Sequence, residues 1–250
     1  MTTTEFKPQN FCGLPLHGAT ASELIDWLVA ADPVITAPRF AAYLNAHTTN
    51  LAHRKNGQMR RAIKDADFVY ADGMAVVKAA RRRGIQIPER VSAADFFPQF
   101  CRAAADRHRT LALIGGAPGL AEKCAVHLAQ IAPDIKIVLT HNGYVDDPAQ
   151  LIEQLKHAKP DIVLLGMGSP QQELLAMRLR DEVGIPTTWC VGALFEYFTP
   201  GVRRHAPHWM RKGGLEWLFR LSQEPTRLAG RYLIGNPLFL WRTRKGARWD

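Results

Sequence analysis

The stretch Asp65-Ala66-Asp67-Phe68-Val69-Tyr70-Ala71-Asp72-Gly73 decides how this chain is read. Residues 68–71 form a short apolar and aromatic run, the pattern of a strand buried on both faces. An acid and a glycine follow at once, and residues 74–83 have helical character. Strand, Asp-Gly, helix places Asp72 at the carboxyl end of a strand, the edge where open α/β sheets bind ligands. Local features alone leave a second reading standing, since Asp-Gly is a common turn pair.

Working outward, the same alternation repeats. Toward the N-terminus, residues 11–17 read as an edge strand or hairpin arm. Thr20 caps a helix over 21–31, and Glu23 completes a capping box. A strand over 40–45 and a helix over 49–66 follow. Toward the C-terminus, 84–91 is a loop, and Ser92 caps a helix to 107 with Asp95 in its first turn. Strands are predicted over 110–114, 135–140, 161–165 and 187–191. Helices are predicted over 120–131, from Pro148 behind the cap Asp147, and over 171–181. Such alternation predicts an α/β fold with a mainly parallel, Rossmann-like sheet and helices on both faces. Beyond Pro200 the pattern is helical only, broken at Gly213-Gly214 and Pro225. The expected organisation is a core over 1–194 and a basic helical C-terminal appendage over 195–250.

The charge distribution marks the same boundary. Residues 201–250 hold nine Arg and two Lys against Glu216, Glu224 and Asp250, so +8 of the total +9 lies there. Trp209, Trp217, Trp241 and Trp249 lie there too. A basic, aromatic segment suits phosphates, anionic lipid head groups or nucleic acid, and equally a solvated face. Cys12, Cys101, Cys124 and Cys190 have no metal-ligand spacing and read as buried thiols of a cytosolic protein. The first ten residues lack a signal pattern, and no apolar run approaches the ~20 residues of a membrane span. An integral membrane protein is therefore not expected.

Two glycine-rich loops follow predicted strands. Gly115-Gly116-Ala117-Pro118-Gly119 precedes a helix start, where free N–H groups and the helix dipole favour an anion. It is neither GxGxxG nor a GK[ST] loop, and a tight turn without ligand fits as well as a nucleotide contact. In Gly166-Met167-Gly168-Ser169-Pro170-Gln171-Gln172-Glu173 the glycines allow close approach to the backbone. Gln172 there suits an amide or hydroxyl, whereas Glu173 also fits as a first-turn acid. Asp65-Ala66-Asp67 has the form of a DxD metal motif but sits at the start of its strand, away from the ligand edge. His205 and His208 lack a third ligand nearby, so no metal site is assigned. Arg90 suits a phosphate or a pair with Glu89.

Several windows together resemble one family. They are Asn45, Ala71-Asp72-Gly73, Glu89-Arg90-Val91, 168–173 and Val191-Gly192-Ala193, in that order. The tail adds Arg204-His205-Ala206-Pro207-His208-Trp209, the 214–221 run Gly-Leu-Glu-Trp-Leu-Phe-Arg-Leu, Glu224-Pro225-Thr226-Arg227 and Arg231-Tyr232-Leu233. From about residue 11 to 233 the chain resembles the WecG/TagA/CpsF glycosyltransferases of bacterial surface-polysaccharide and teichoic-acid synthesis.

The resemblance implies inverting transfer from a UDP-sugar to a sugar on a polyprenyl diphosphate at the cytoplasmic membrane face. It implies a peripheral protein whose tail contacts anionic lipid, with no metal cofactor and no nucleic-acid partner; a homo-oligomer is left open. By the same resemblance Asp72 is the catalytic base, Arg90 and Gln172 are active-site residues, and Asn45 lies in the pocket. Arg220, Arg227 and Arg231 would fold over the diphosphate. Thr48, Thr49, Gly73, Gly115, Gly116, Gly166, Gly168, Glu173, Gly192 and Arg204 complete the expected substrate contacts.

Two positions depart from the family pattern. Tyr43 stands where a threonine is usual, and His205 stands where Arg-Ala-Pro would begin with arginine. N-acetylmannosamine, its uronic acid and glucose are the donor sugars the resemblance leaves open. The chemistry suits the residues: a carboxylate takes the acceptor proton, and fixed cations stabilise the departing UDP. Arginine forks match phosphate well. Two other classes remain on sequence alone, a nucleic-acid-binding module using the tail and a nicotinamide-dependent oxidoreductase. Steeply salt-dependent binding would mark the first; the missing GxGxxG weakens the second.

Overall fold

The computed structural model describes residues 7–30, 37–54, 57–145 and 147–244. Strands β1 (Gln9–Phe11) and β2 (Leu14–Leu16) form a small antiparallel hairpin, and α1 (Ala21–Val29) follows. The main sheet contains β3 (Arg39–Leu44), β4 (Phe68–Ala71), β5 (Thr110–Gly115), β6 (Lys136–His141), β7 (Ile162–Gly166) and β8 (Thr187–Cys190). Every pairing is parallel, in the order β4-β3-β8-β7-β5-β6. Helices α2 (Ala46–Ala52) and α3 (Gln58–Asp65) follow β3, and α4 (Met74–Arg82) and α5 (Ala93–Asp106) follow β4. Next come α6 (Leu120–Ile131), α7 (Pro148–Ala158), α8 (Gln171–Arg178) and α9 (Leu194–Tyr197). The C-terminal helices are α10 (His208–Gly213), α11 (Glu216–Gln223), α12 (Pro225–Ala229) and α13 (Gly235–Arg242).

Alternate strand residues feed two cores. Ala42, Leu44, Val69, Ala71, Ile114 and Leu165 pack with α2, α3, α4, α7 and α8 on one face. Phe68, Tyr70, Leu113, Leu164 and Trp189 pack with α1, α5, α6 and α9 on the other. Trp189 anchors the second core: its ring lies 4.9 Å from Phe100, and its indole N–H donates to Tyr70 Oη at 3.0 Å. An aromatic pair of this kind adds about 0.5–1.5 kcal/mol beyond the area it buries. The helix leaving β5 goes to one face and the helix leaving β7 to the other. This divergence opens a crevice at the carboxyl ends of the strands.

The structure corrects several boundaries. The helix expected over 49–66 is two helices, with Gly57 in the left-handed region (φ +66°) before α3. Asn45 is not strand; its Oδ1 accepts the N–H groups of His47 and Thr48 and caps α2. The helix over 171–181 ends at Arg178 and continues as a π-helical turn, Leu179–Val183. Ser92 stands at the N-cap of α5 but makes no capping bond, because its hydroxyl serves Asp72. The Thr20–Glu23 and Asp147–Pro148 starts form as expected. All four cysteines are free and buried. Residue 31 of the first predicted helix, the first six residues, and Trp249 with its neighbours from 245 lie outside the described residues.

The tail helices dock against α2 and α4. Phe239 is fully buried, Asn50 Nδ2 donates to the Gly235 carbonyl at 2.7 Å, and Arg242 donates to Asn50 Oδ1 at 2.9 Å. Arg83 donates to the Arg244 carbonyl at 2.7 Å. Trp209, Leu215, Leu218, Leu233, Ile234, Leu240 and Trp241 remain exposed on these helices. Among the described residues no helix is long and apolar enough to cross a membrane.

Candidate active site

Asp72 leaves β4 directly at the crevice. Its N–H donates to the Leu44 carbonyl at 3.0 Å, and the following loop is tied back by Val91 N–H donating to Ala71 O at 2.9 Å. Asn45, at the end of the neighbouring strand, donates from Nδ2 to Asp72 Oδ2 at 3.3 Å. Gly73 permits that approach, because a Cβ there would come within 3.1 Å of Asn45 Cβ. Burial pushes the Asp72 carboxyl above its ordinary value and Glu216 adds to this, while Arg90, Asn45 and Ser92 pull it down. The net shift is upward, toward the range in which a carboxylate works as a base.

Two cavities meet at this carboxylate. One, about 540 Å³, lies over the strand ends and is bounded by Gly116, Gly143, the 166–169 loop and 191–194. The other, about 360 Å³, lies between the first two turns of α4 and the tail helices α11 and α13. Asn45, His47, Asp72, Glu216, Arg220 and Arg231 line both. Arg220 and Arg231 make no hydrogen bond or ion pair among the described residues, and the Nε of each is buried without a partner. Burial opposes the charge of Arg220, but its neighbours outweigh this, the carboxylates of Glu216 and Asp72 among them. Burial and the neighbouring Arg220 lower Arg231, which stays charged at neutral pH as guanidinium groups do. The tail thus brings two cations without a direct hydrogen-bond partner to the neighbourhood of Asp72. Such cations suit a diphosphate.

Arg90 is otherwise engaged. It donates to Glu216 at 2.6 Å and to Asp95, and Arg211 also reaches Asp95. Glu89 does not pair with Arg90; it accepts from Ala21 N–H at 2.6 Å. Arg90 therefore borders the smaller cavity while clamping α11 to the core, and the Asp95 it shares with Arg211 ties α10 to α5.

Gln172 and Glu173 lie beneath the cleft and do not line it. Gln172 is fully buried: its Oε1 accepts the Gly192 N–H at 3.0 Å, and its Nε2 donates to Tyr43 Oη at 3.3 Å and Glu173 Oε1 at 2.8 Å. Ser169 donates to the same Glu173 oxygen at 2.7 Å, and burial raises the Glu173 carboxyl. This network joins the 166–170 and 191–193 loops. Gly192 takes φ +59°, and a Cβ there would lie 2.6 Å from Tyr43 Oη. Tyr43 therefore packs into the space that the glycine leaves.

Other expected contacts also fall away from the cleft. Thr48 and Thr49 are buried in α2, with Thr48 Oγ1 accepting the Asn45 N–H at 2.9 Å. Gly115 packs on Gly166 behind the cleft, and only Gly116 of the pair faces it. Arg204 is exposed and unpaired among the described residues; its neighbour Arg203 holds Glu196 at 2.5 Å and Glu224. Arg227 reaches the larger cavity while pairing with Glu224. Asp67 accepts the Phe40 N–H at 2.8 Å at the start of its strand, away from the cleft. The ring of His205 packs on Tyr197 at 4.8 Å, whereas the side chain of His208 lies outside the described residues. Among the described residues no group of three or more His, Cys, Asp or Glu is placed to hold a metal ion.

The reading of the sequence missed His47 and Glu216. Burial, aided by Arg231 and Arg54, lowers His47 to about 4, so it enters the cleft as a neutral imidazole. Its place two residues beyond Asn45 was the available signal. Glu216 gave only the look of a first-turn acid.

The Glycosyl transferase WecG/TagA/CpsF family matches residues 9–249. Among similar proteins are those named N-acetylglucosaminyldiphosphoundecaprenol N-acetyl-beta-D-mannosaminyltransferase from Staphylococcus aureus strains MW2, NCTC 8325 / PS 47 and MRSA252. Each is 28% identical over 217 residues, covering 86% of this chain and 80% of the relative.

Proposed function

Because the chain belongs to the WecG/TagA/CpsF family of glycosyl transferases, we propose that it transfers a sugar from a UDP-sugar to a saccharide on a polyprenyl diphosphate, with inversion. The observation that carries this reading is the position of Asp72. The carboxylate stands where the two cavities meet, within electrostatic reach of Arg220 and Arg231. An inverting displacement needs a base on one side of the anomeric carbon and leaving-group stabilisation on the other. The relatives' name supports a lipid-diphosphate acceptor.

In this reading the donor occupies the larger cavity. The glycine loops at 116 and 166–168 admit it to the strand ends, and Arg220, Arg231 and Arg227 neutralise the charge that develops on UDP. Asp72 takes the acceptor hydroxyl proton as that oxygen attacks, Asn45 orients the carboxylate, and His47 offers an uncharged hydrogen-bonding group. Arg90 and Gln172 act as positioning residues, one for the tail and one for the floor of the cleft. Fixed guanidinium groups do the work that a divalent cation does in other transferases. Residues 195–250 form an appendage that completes the site and rests on the cytoplasmic membrane surface through its exposed Trp and Leu side chains. Aromatic and basic groups favour that interface.

The test is UDP release across a panel of UDP-sugars with a lipid-linked saccharide acceptor, with and without anionic liposomes. One donor should give acceptor-dependent UDP release that liposomes enhance. No release with any UDP-sugar would refute the donor class.

A further inference from the structure

We propose that the smaller cavity is the acceptor's own diphosphate subsite, with Lys78 and Arg82 as its cations and the tail as the seat of the first prenyl units. This rests on the transferase reading above but assigns residues and a lipid path that the reading does not. The cavity begins at the first turn of α4, where Gly73 supplies no side-chain cap. That leaves the Met74 and Ala75 N–H groups of this nine-residue helix without a side-chain cap at its positive end, whereas Val76 N–H donates to the Gly73 carbonyl at 2.9 Å.

Lys78 and Arg82 line the same wall, and among the described residues neither has an ion pair or hydrogen bond. At 1.5 Å rise per residue they stand about 6 and about 12 Å along the helix from Met74, on one face. The opposite wall has an apolar part, Trp217, Phe239 and Leu240 of α11 and α13, beside the polar Glu216, Arg220 and Asn236. Leu240 is 52% exposed, and Trp241 beside it is 64% exposed, so that wall runs out to the surface. The cavity therefore has a base at its inner end, two cations along one wall and, facing them, apolar side chains that reach the surface. A lipid-linked saccharide carries the matching groups: hydroxyl, diphosphate and isoprenoid. Arg227 lines only the larger cavity and Arg220 and Arg231 stand where the two cavities meet, so Lys78 and Arg82 are the unpaired cations particular to the smaller one.

The full-length protein, with UDP present at saturation, is titrated with farnesyl diphosphate, and Trp fluorescence is read. Farnesyl diphosphate should bind without displacing UDP. The double variant Lys78→Ala/Arg82→Ala should weaken its Kd at least tenfold and leave the UDP Kd within twofold. Both positions lie on the exposed side of α4, so the fold is retained, and circular dichroism checks this. Competition between farnesyl diphosphate and UDP would overturn the subsite, as would an unchanged Kd in the double variant. Equal displacement by short-chain phosphatidylglycerol would overturn it in favour of a general anionic-lipid surface, and equal displacement by inorganic pyrophosphate would remove the prenyl assignment. Failure of wild type to bind UDP at all would instead count against the donor reading, because farnesyl diphosphate binding is scored separately.

Discussion

Replacing Arg90 should have two separable effects, and their signs follow from its partners. Arg90 is 13% exposed and donates to Glu216 on α11 and to Asp95 on α5. A hydrogen bond between charged groups contributes about 1.5–3 kcal/mol net, and an orphaned partner adds its own desolvation cost. In Arg90→Ala, Asp95 keeps Arg211, so Glu216 alone loses its partner. We expect about 3 kcal/mol against tail docking, on the order of a hundredfold in the docking equilibrium. Hydrogen exchange over α10 to α13 would read this directly.

The second effect concerns Asp72. Arg90 favours its carboxylate and Glu216 disfavours it. Arg90→Ala should therefore move the acid limb of the pH–rate profile upward, and Glu216→Gln should move it downward. A latch with no electrostatic link to the base would shift neither limb, or both in the same direction. Either result would refute the reasoning.

Three further outcomes are expected. Gly115→Ala puts a Cβ 2.5 Å from the Gly166 carbonyl oxygen. The clash is with backbone, so thermal unfolding should show a loss at or above the ~1–3 kcal/mol usual for overpacking, and wild-type stability would contradict it. For Glu173, burial raises the folded-state pKa, so its protonated form stabilises the fold below the ordinary value of 4.5. That contribution is lost as pH rises through the raised value. Glu173→Gln should accordingly raise Tm at about pH 8 and leave it unchanged at about pH 4; a gain that is larger in acid would have the wrong sign. In the proposed transfer arginines stabilise the leaving group, so EDTA treatment should leave transfer rates within about twofold; a strict Mg²⁺ or Mn²⁺ requirement would refute that arrangement.

What could be read beforehand was local. The apolar run 68–71 with its Asp-Gly end, the Thr20 and Asp147 caps and the glycine loops are short-range signals, and each formed as a strand, cap or loop in the expected place. The break between α2 and α3 was also written in the sequence, as Asn56-Gly57, but a helical pattern on either side concealed it. Long-range partners left no such mark. Arg90 and Glu216 are 126 positions apart, and nothing in either neighbourhood points to the other. Gln172 sits in a loop window that reads as ligand-facing, yet the left-handed turn at Gly192 draws its amide inward. Lys78 and Arg82 have the spacing of a solvated helical face. Only the docking of α11 and α13 turns that face into a cavity wall.

The central claim is that Asp72 is the base. The most direct measurement is the steady-state transfer rate of Asp72→Asn with the UDP-sugar that the donor panel selects and a lipid-linked acceptor, alongside UDP affinity. Asparagine keeps the size and can still meet Asn45, but it cannot accept the proton. The expected kcat is lower by about 10²–10⁴-fold, with UDP affinity essentially unchanged. A variant that turns over at close to the wild-type rate would contradict it.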